Sequence, residues 1–225
     1  MKKLLLSAFV ICLAGTSIAQ ESPLWMRHCA LSPDGTTIAF TYKGDIYTVP
    51  STGGRATQIT TNPAFDTEPV WSPDSKQIAF ASDRMGSLDV FVVSSEGGAP
   101  QRLTTHSGSE KPVAYKDNKH ILFTANIAPS AEDAGFPSGQ FQQVYEVAVT
   151  GGRPAMFSSM PMECISINKE GVMLYQDKKG YEDYWRKHQV SPIARDIWTY
   201  TPGKKPVYQK QTTFGGEIGR ASCRE

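Results

Sequence analysis

The chain has 225 residues, with 23 Lys and Arg against 22 Asp and Glu, and 40% of it is hydrophobic. That length makes one large or two small domains with a sizeable core, and the balanced charge supplies no field to hold nucleic acid or an anionic membrane. The 19 Gly and 15 Pro suit a turn-rich β protein, and nothing in these numbers excludes an enzyme.

Residues 1–19 read as a targeting signal. Lys2 and Lys3 form a charged start, and residues 4–14 an apolar stretch too short to span a bilayer. Ser17-Ile18-Ala19 then gives the small-x-small pattern that signal peptidase cuts. Cleavage after Ala19 predicts an exported, periplasmic protein. Thr16 stands where a lipid-anchored protein carries Cys, so no membrane anchor is expected. Cys12 leaves with the signal, and the odd remainder of Cys29, Cys164 and Cys223 argues against a disulfide framework. Cys29 and Cys164 lie too far apart in sequence for their pairing to be read from it.

The next segment contains an echo. Residues 31–40 read LSPDGTTIAF and residues 71–80 read WSPDSKQIAF. In the second copy, Ser72-Pro73-Asp74-Ser75 is a turn, because Pro sets φ while Ser and Asp bond back to the backbone. The strand QIAFAS follows, then the strand DVFVVS, the hairpin pair Gly97-Gly98, and a fourth strand, QRLTT, at 101–105. The first copy repeats the order with DIYTV, Gly53-Gly54 and QITT. A third runs through KDNKHILF, QVYEVAV and Gly151-Gly152; a fourth through NKEGVMLY, DIWTY and QKQTT at 209–213. Four short strands recurring about every 40–45 residues are the signature of propeller blades. An all-β propeller of about four four-stranded antiparallel blades, an incomplete ring, is therefore expected over residues 20–217.

These repeats resemble the WD40-like blades of TolB-type proteins. The stretch SPDGTTIAFTYKGDIYTVPSTGG soon after a signal, and YQDKKGYEDYWRKHQVSPIARDIWTY at 175–200, resemble the first propeller segment of a tricorn-type serine peptidase. The resemblance implies a parent that hydrolyses peptides, with a PDZ-like module and a peptidase core as downstream partners. Peptides or unfolded polypeptide would be the substrates, sorted by the propeller. Two other parents fit the blades: a non-catalytic TolB-like binding module of the cell envelope, and the propeller of a dipeptidyl-type α/β-hydrolase.

Residues 20–217 carry no G-x-S-x-G elbow, and His28, His106, His120 and His188 sit at turns, strands or loops with no Ser at a telling spacing. No catalytic residue is assigned. Neither a cofactor nor a metal site is expected, since no D-x-D-x-D-G loop, H-E-x-x-H or phosphate-cradling Gly loop occurs. Residues 218–225, IGRASCRE, lack repeat character and read as a non-native tail.

Asp34, Asp74 and Asp117 recur at the turn and are expected to hold its geometry. Glu68, Glu110, Glu163 and Glu217 recur ahead of the first strand of their blades and are expected to bond backbone amides rather than a substrate amine. Features confined to one blade are the better binding candidates. Residues 126–141 make a long Pro/Gly/Ala loop. The insertion at 180–195 carries Tyr181, Tyr184, Trp185, Arg186, Lys187 and His188, a flat cationic recognition surface unless its rings plug the loop onto its own blade. The sequence leaves oligomerisation open.

Overall fold

A computed structural model describes residues 25–127, 142–177 and 195–212. Among them are 16 strands in four separate four-stranded sheets, each an antiparallel meander in chain order. Blade 1 holds β1 (Arg27–Leu31), β2 (Thr37–Tyr42), β3 (Asp45–Pro50) and β4 (Thr57–Gln58). Blade 2 holds β5 (Asp66–Trp71), β6 (Gln77–Ser82), β7 (Asp89–Ser94) and β8 (Gln101–Arg102). Blade 3 holds β9 (Lys111–Asp117), β10 (His120–Ala125), β11 (Gln143–Ala148) and β12 (Ala155–Ser158). Blade 4 holds β13 (Met162–Ile167), β14 (Met173–Asp177), β15 (Ile197–Thr201) and β16 (Val207–Lys210). The four-bladed β-propeller expected from the repeat is the observed fold.

The turn residues act as their chemistry dictates. Ser72 Oγ accepts the Gln77 amide at 2.9 Å and donates to Asp74 Oδ1 at 2.7 Å, so two side chains close the corner between β5 and β6. Ser32 and Asp34 do the same in blade 1, where Asp34 Oδ1 also accepts the Thr36 amide at 3.0 Å. These hydrogen bonds, that from Ser32 foremost, hold the Asp34 carboxyl below its usual range. Asn168 takes over in blade 4, its Oδ1 accepting the Val172 amide at 2.9 Å. The corners also link neighbouring blades, since the Asp74 amide donates to Asn118 Oδ1 at 3.1 Å.

A second recurrent fastening works at the opposite end of the blades. Thr60 Oγ1 accepts the Ile46 amide at 3.0 Å, Thr104 Oγ1 the Val90 amide at 2.9 Å, and Thr212 Oγ1 the Ile197 amide at 3.2 Å. The threonine side chain thus takes the place of a backbone carbonyl. That is why β8 and β16 stop short of the spans expected for them at 101–105 and 209–213.

Each blade is stacked on the next through its two faces. Phe80, Phe91, Ile78, Val93 and Trp71 of blade 2 cover Ala39 and Ile46 of blade 1. Tyr115, Ile121, Phe123, Tyr145 and Val147 of blade 3 cover Ala79, Val90 and Val92 of blade 2. Met162, Met173 and Tyr175 of blade 4, with Trp198 and Tyr200 beside them, cover Ala114, Leu122 and Val144 of blade 3. The leading face of a blade carries large rings, and the trailing face small or aliphatic side chains that receive them. Phe80 and Phe91 stack at 5.9 Å, and Phe123 and Tyr145 at 5.7 Å, on the leading faces of blades 2 and 3. Phe40 and Tyr47 form the same pair at 5.9 Å in blade 1.

Phe91 and Tyr47 occupy the same register, but only Phe91 is covered by a preceding blade. Phe91→Ala should cost about 3–5 kcal/mol and Tyr47→Ala about 1–2 kcal/mol in equilibrium urea unfolding. Equal losses would contradict this account of the seams.

Candidate functional site

The first strand of every blade forms a strand ladder on one side only, with the second strand. The four first strands β1, β5, β9 and β13 together line one central cavity of about 880 Å³. Its wall runs from the middle of these strands to the Ser-Pro-Asp corners, including Pro33, Pro73, Asn118 and Lys169.

Each first strand breaks its ladder at the same place. Register shifts fall between Arg27 and Ala30, Thr67 and Val70, and Glu163 and Ser166, while β9 shifts between Pro112 and Ala114. His28, Glu68 and Cys164 sit at these bulges with φ of 51°, 55° and 52°. An L-residue pays conformational strain of order 1 kcal/mol or more there, which the surrounding sheet must hold. All three contribute to the cavity wall. Glu68 Oε1 meets Lys111 Nζ of the next blade at 2.8 Å, both side chains partly exposed. The lining mixes apolar side chains such as Pro69, Val113 and Ile165 with charged ones such as Glu68, Asp117 and Lys169.

This geometry corrects the expected equivalence of the glutamates. By register Glu68 matches Pro112 and Cys164, so Glu68, Glu110 and Glu163 do not share a position. Two of them pair with cations: Glu68 with Lys111, while Glu163 Oε2 lies 2.6 Å from Arg195 Nη1; Glu110 takes a backbone hydrogen bond from His106, as expected. Glu110 is buried in the seam between blades 2 and 3. Glu217 lies outside the described residues.

Tyr181, Tyr184, Trp185, Arg186, Lys187 and His188 also lie outside the described residues, as do residues 128–141 of the other insertion, the signal segment at 1–19 and the tail at 218–225. The strand ends that carry the 180–195 insertion are well fastened. Asp177 accepts the Asp196 amide at 2.6 Å and Trp198 Nε1 at 3.1 Å. His106 Nδ1 accepts the Gly108 amide at 3.0 Å, and His120 pairs with Asp117 at 3.0 Å. Cys29 and Cys164 both line the cavity and are not joined in a disulfide. Among the described residues no group of three or more His, Cys, Asp or Glu is placed to hold a metal, and no helix is long and apolar enough to cross a membrane.

The sequence reading missed Asp45, Asp66 and Asp89, which join Glu110 in a set of acids at the far end of the seams. Asp45 and Asp89 open the third strands of blades 1 and 2; Asp66 and Glu110 stand at or just before the next blade's first strand. At the first seam Arg84 Nη2 reaches both Asp66 oxygens at 2.9 Å, its guanidinium carbon 4.5 Å from the centre of the Phe91 ring. At the second, Arg102 pairs with Asp89 at 2.9 Å and Glu110 is left beside a like charge. Burial, opposed by the Thr104 hydroxyl and reinforced by Asp89, pushes the Glu110 carboxyl up to about 7. The recurring Asp at the head of each DIY-like strand and Thr at the end of each QxTT run were the available signals.

The four blades around a central cavity define a β-propeller domain. The family described as "Tricorn protease N-terminal beta propeller domain" matches residues 23–217, and the chain belongs to that family. The chain is 39% identical over 77 residues to tricorn protease homolog 1 of Streptomyces coelicolor, covering 34% of this chain and 7% of that protein. It is 32% identical over 108 residues to the uncharacterized peptidase YuxL of Bacillus subtilis, covering 43% of this chain and 16% of that one. The chain thus spans a small part of these peptidases. Among solved structures, a crystal structure of the tricorn protease superposes with a TM-score of 0.63 at 16% identity, over 85% of this chain and 18% of that one. TolB from Acinetobacter baumannii gives 0.60 at 18% identity, over 84% and 43%. At these identities the structures attest the fold.

A carboxyl whose folded value is raised binds more protons folded than unfolded across the interval from 4.5 to about 7. Stability therefore falls as pH rises through that window. Between pH 4.5 and 8, Glu110→Gln should narrow this loss by up to about 3 kcal/mol in urea unfolding. Parallel pH profiles for the two proteins would remove Glu110 from the seam's electrostatics.

Proposed function

We propose that this chain is the substrate-handling propeller of an exported tricorn-like serine peptidase, admitting extended polypeptide to its bore while a downstream core performs hydrolysis. The observation that carries this reading is the axial cavity walled by all four first strands, in a chain of the tricorn propeller family. Unpaired strand edges offer main-chain hydrogen bonds to any extended chain, and a rigid bore excludes folded domains by size. Glu68 and Lys111 supply a salt-bridged pair that a peptide's own charges can exchange with. Tyr181, Tyr184, Trp185, Arg186, Lys187 and His188 are proposed as a second contact surface for the same peptides. The PDZ-like and peptidase modules of such a parent are the proposed intramolecular partners. The exported location rests on the reading of residues 1–19 and is in keeping with the TolB-like fold.

A non-catalytic TolB-like binding module is the second reading, favoured by the TolB superposition. A longer polypeptide from the native gene separates the two, since only the first carries a peptidase core after the last blade.

For the chain itself, fluorescence anisotropy should show binding of a labelled, reduced and carboxymethylated protein but not of its folded form. Lys111→Ala should weaken that binding several-fold, and the purified chain should not cleave the peptide. Equal affinity for the folded protein, or turnover by the chain alone, would overturn the assignment.

A further inference from the structure

The first two seams bury equivalent acids but neutralise them differently. The Asp66 amide donates to the Gly44 carbonyl at 2.7 Å, and the Glu110 amide to the Leu88 carbonyl at 2.6 Å, so the two acids hold matching places. Both are completely buried. Asp66 receives Arg84, which stands two residues past Ser82. Ser82 and Ala125 each pair with the first residue of the following strand, Asp89 and Gln143, so the residue matching Arg84 in blade 3 is Ile127. Ile127 packs against the apolar cluster of the second seam and has no charge to give.

An acid-to-acid contact takes the place of that arginine. Asp89, also completely buried, hydrogen-bonds the Glu110 side chain, while Arg102 pairs with Asp89 at 2.9 Å. Two carboxyl groups share a hydrogen bond only when one carries a proton, because two bare carboxylates have no donor between them. The Thr104 hydroxyl and the His106 amide also bond Glu110. Lys111, next in sequence, is drawn to Glu68 at 2.8 Å, and His106 turns its Nδ1 to the Gly108 amide at 3.0 Å. On β11 the Tyr145 hydroxyl donates to the Ile127 carbonyl at 3.1 Å. Among the described residues, Arg102 is the cation paired at this site, and one positive charge does not neutralise two anions. Burial, with Asp89 adding to it against the Thr104 hydroxyl, holds the Glu110 carboxyl up at about 7, so the proton is kept below that value and lost above it.

We infer that this contact is a proton-operated latch: one proton shared between Asp89 and Glu110 ties the far end of blade 3 to blade 2. Its release to solvent sets two like charges against each other and opens that end of the seam. The latch sits at the root of β9, whose residues 112–118 form the blade 3 part of the cavity wall. It belongs to the seam and is independent of what the bore binds.

Amide hydrogen exchange of the whole chain, followed by NMR and corrected for the intrinsic rate at each pH, tests this. The reporters are the Leu103 and Glu110 amides, bonded to the Val90 and Leu88 carbonyls; the controls are Ile59 and Asp66, bonded in the same way to Ile46 and Gly44 at the first seam. From pH 5 to pH 8 the reporters should lose protection at least tenfold while the controls hold theirs. Glu110→Gln, whose amide donates to Asp89 at any pH, and Ile127→Arg, which supplies the cation, should each keep the protection at pH 8. Should Ile127→Arg fail to fold, Glu110→Gln carries the test alone. His106→Asn, which removes the imidazole but still accepts the Gly108 amide, should lose protection as the wild type does. Constant protection in the wild type, an equal loss at both seams, a loss that persists in Glu110→Gln or in folded Ile127→Arg, or one that vanishes in His106→Asn would each overturn the latch.

Discussion

A β-sheet four strands wide has two broad faces, and in blades 2 and 3 both are covered by neighbouring sheets. The fold depends on the seam between blades, where rings on one leading face enter the shallow, aliphatic trailing face of the blade before. Trp71 illustrates the fit: its ring packs among Ala39, Ile46 and Phe80, while its indole nitrogen donates to the Ala30 carbonyl at 2.9 Å. Burying such a ring stabilises by a few kcal/mol, and leaving the indole N–H unpaired inside would offset much of it. Removing a blade would expose one apolar face on each of its neighbours.

The seams also divide labour between the two ends of the propeller. At the corner end, Ser, Pro, Asp and Asn close tight turns and link successive blades, leaving the first strands to line the bore. At the far end, Asp45, Asp89 and Asp196 stand at or just before the third strands, beside the threonines that replace ladder carbonyls. The acids there need cations, and Arg84, Arg102 and Lys210 provide them. Glu110 is the exception, and its raised proton affinity follows from burial without a cation of its own. Most of the charged groups that recur from blade to blade are therefore fastenings. Groups that differ between blades, such as His28, Glu68 and Cys164 at the bulges, reach the cavity.

Much of this was legible beforehand because the repeat is local chemistry written several times. Ser-Pro-Asp fixes a corner, Gly-Gly a hairpin, and IAF beside DIYTV a pair of strands, whatever lies beyond them. The bulges were not legible. A non-glycine residue in the left-handed region leaves no mark in composition, and His28, Glu68 and Cys164 share no side-chain chemistry, only a place in a distorted ladder. The glutamates misled for the same reason: spacing by eye aligned Glu68 with Glu110 and Glu163, whereas hydrogen-bond register sets them in different positions.

The sequence by itself determined the architecture, since turn geometry and strand period act over a few residues and need no distant partner. It also determined that the recurring acids belong to the frame, as at Asp34 and Asp74. Tertiary structure alone decided which side chains share the cavity, which acid lies beside which cation, and which blade faces meet. Each of those depends on residues about 40 or more positions apart being brought together by the stacking of whole sheets. No local pattern encodes that distance.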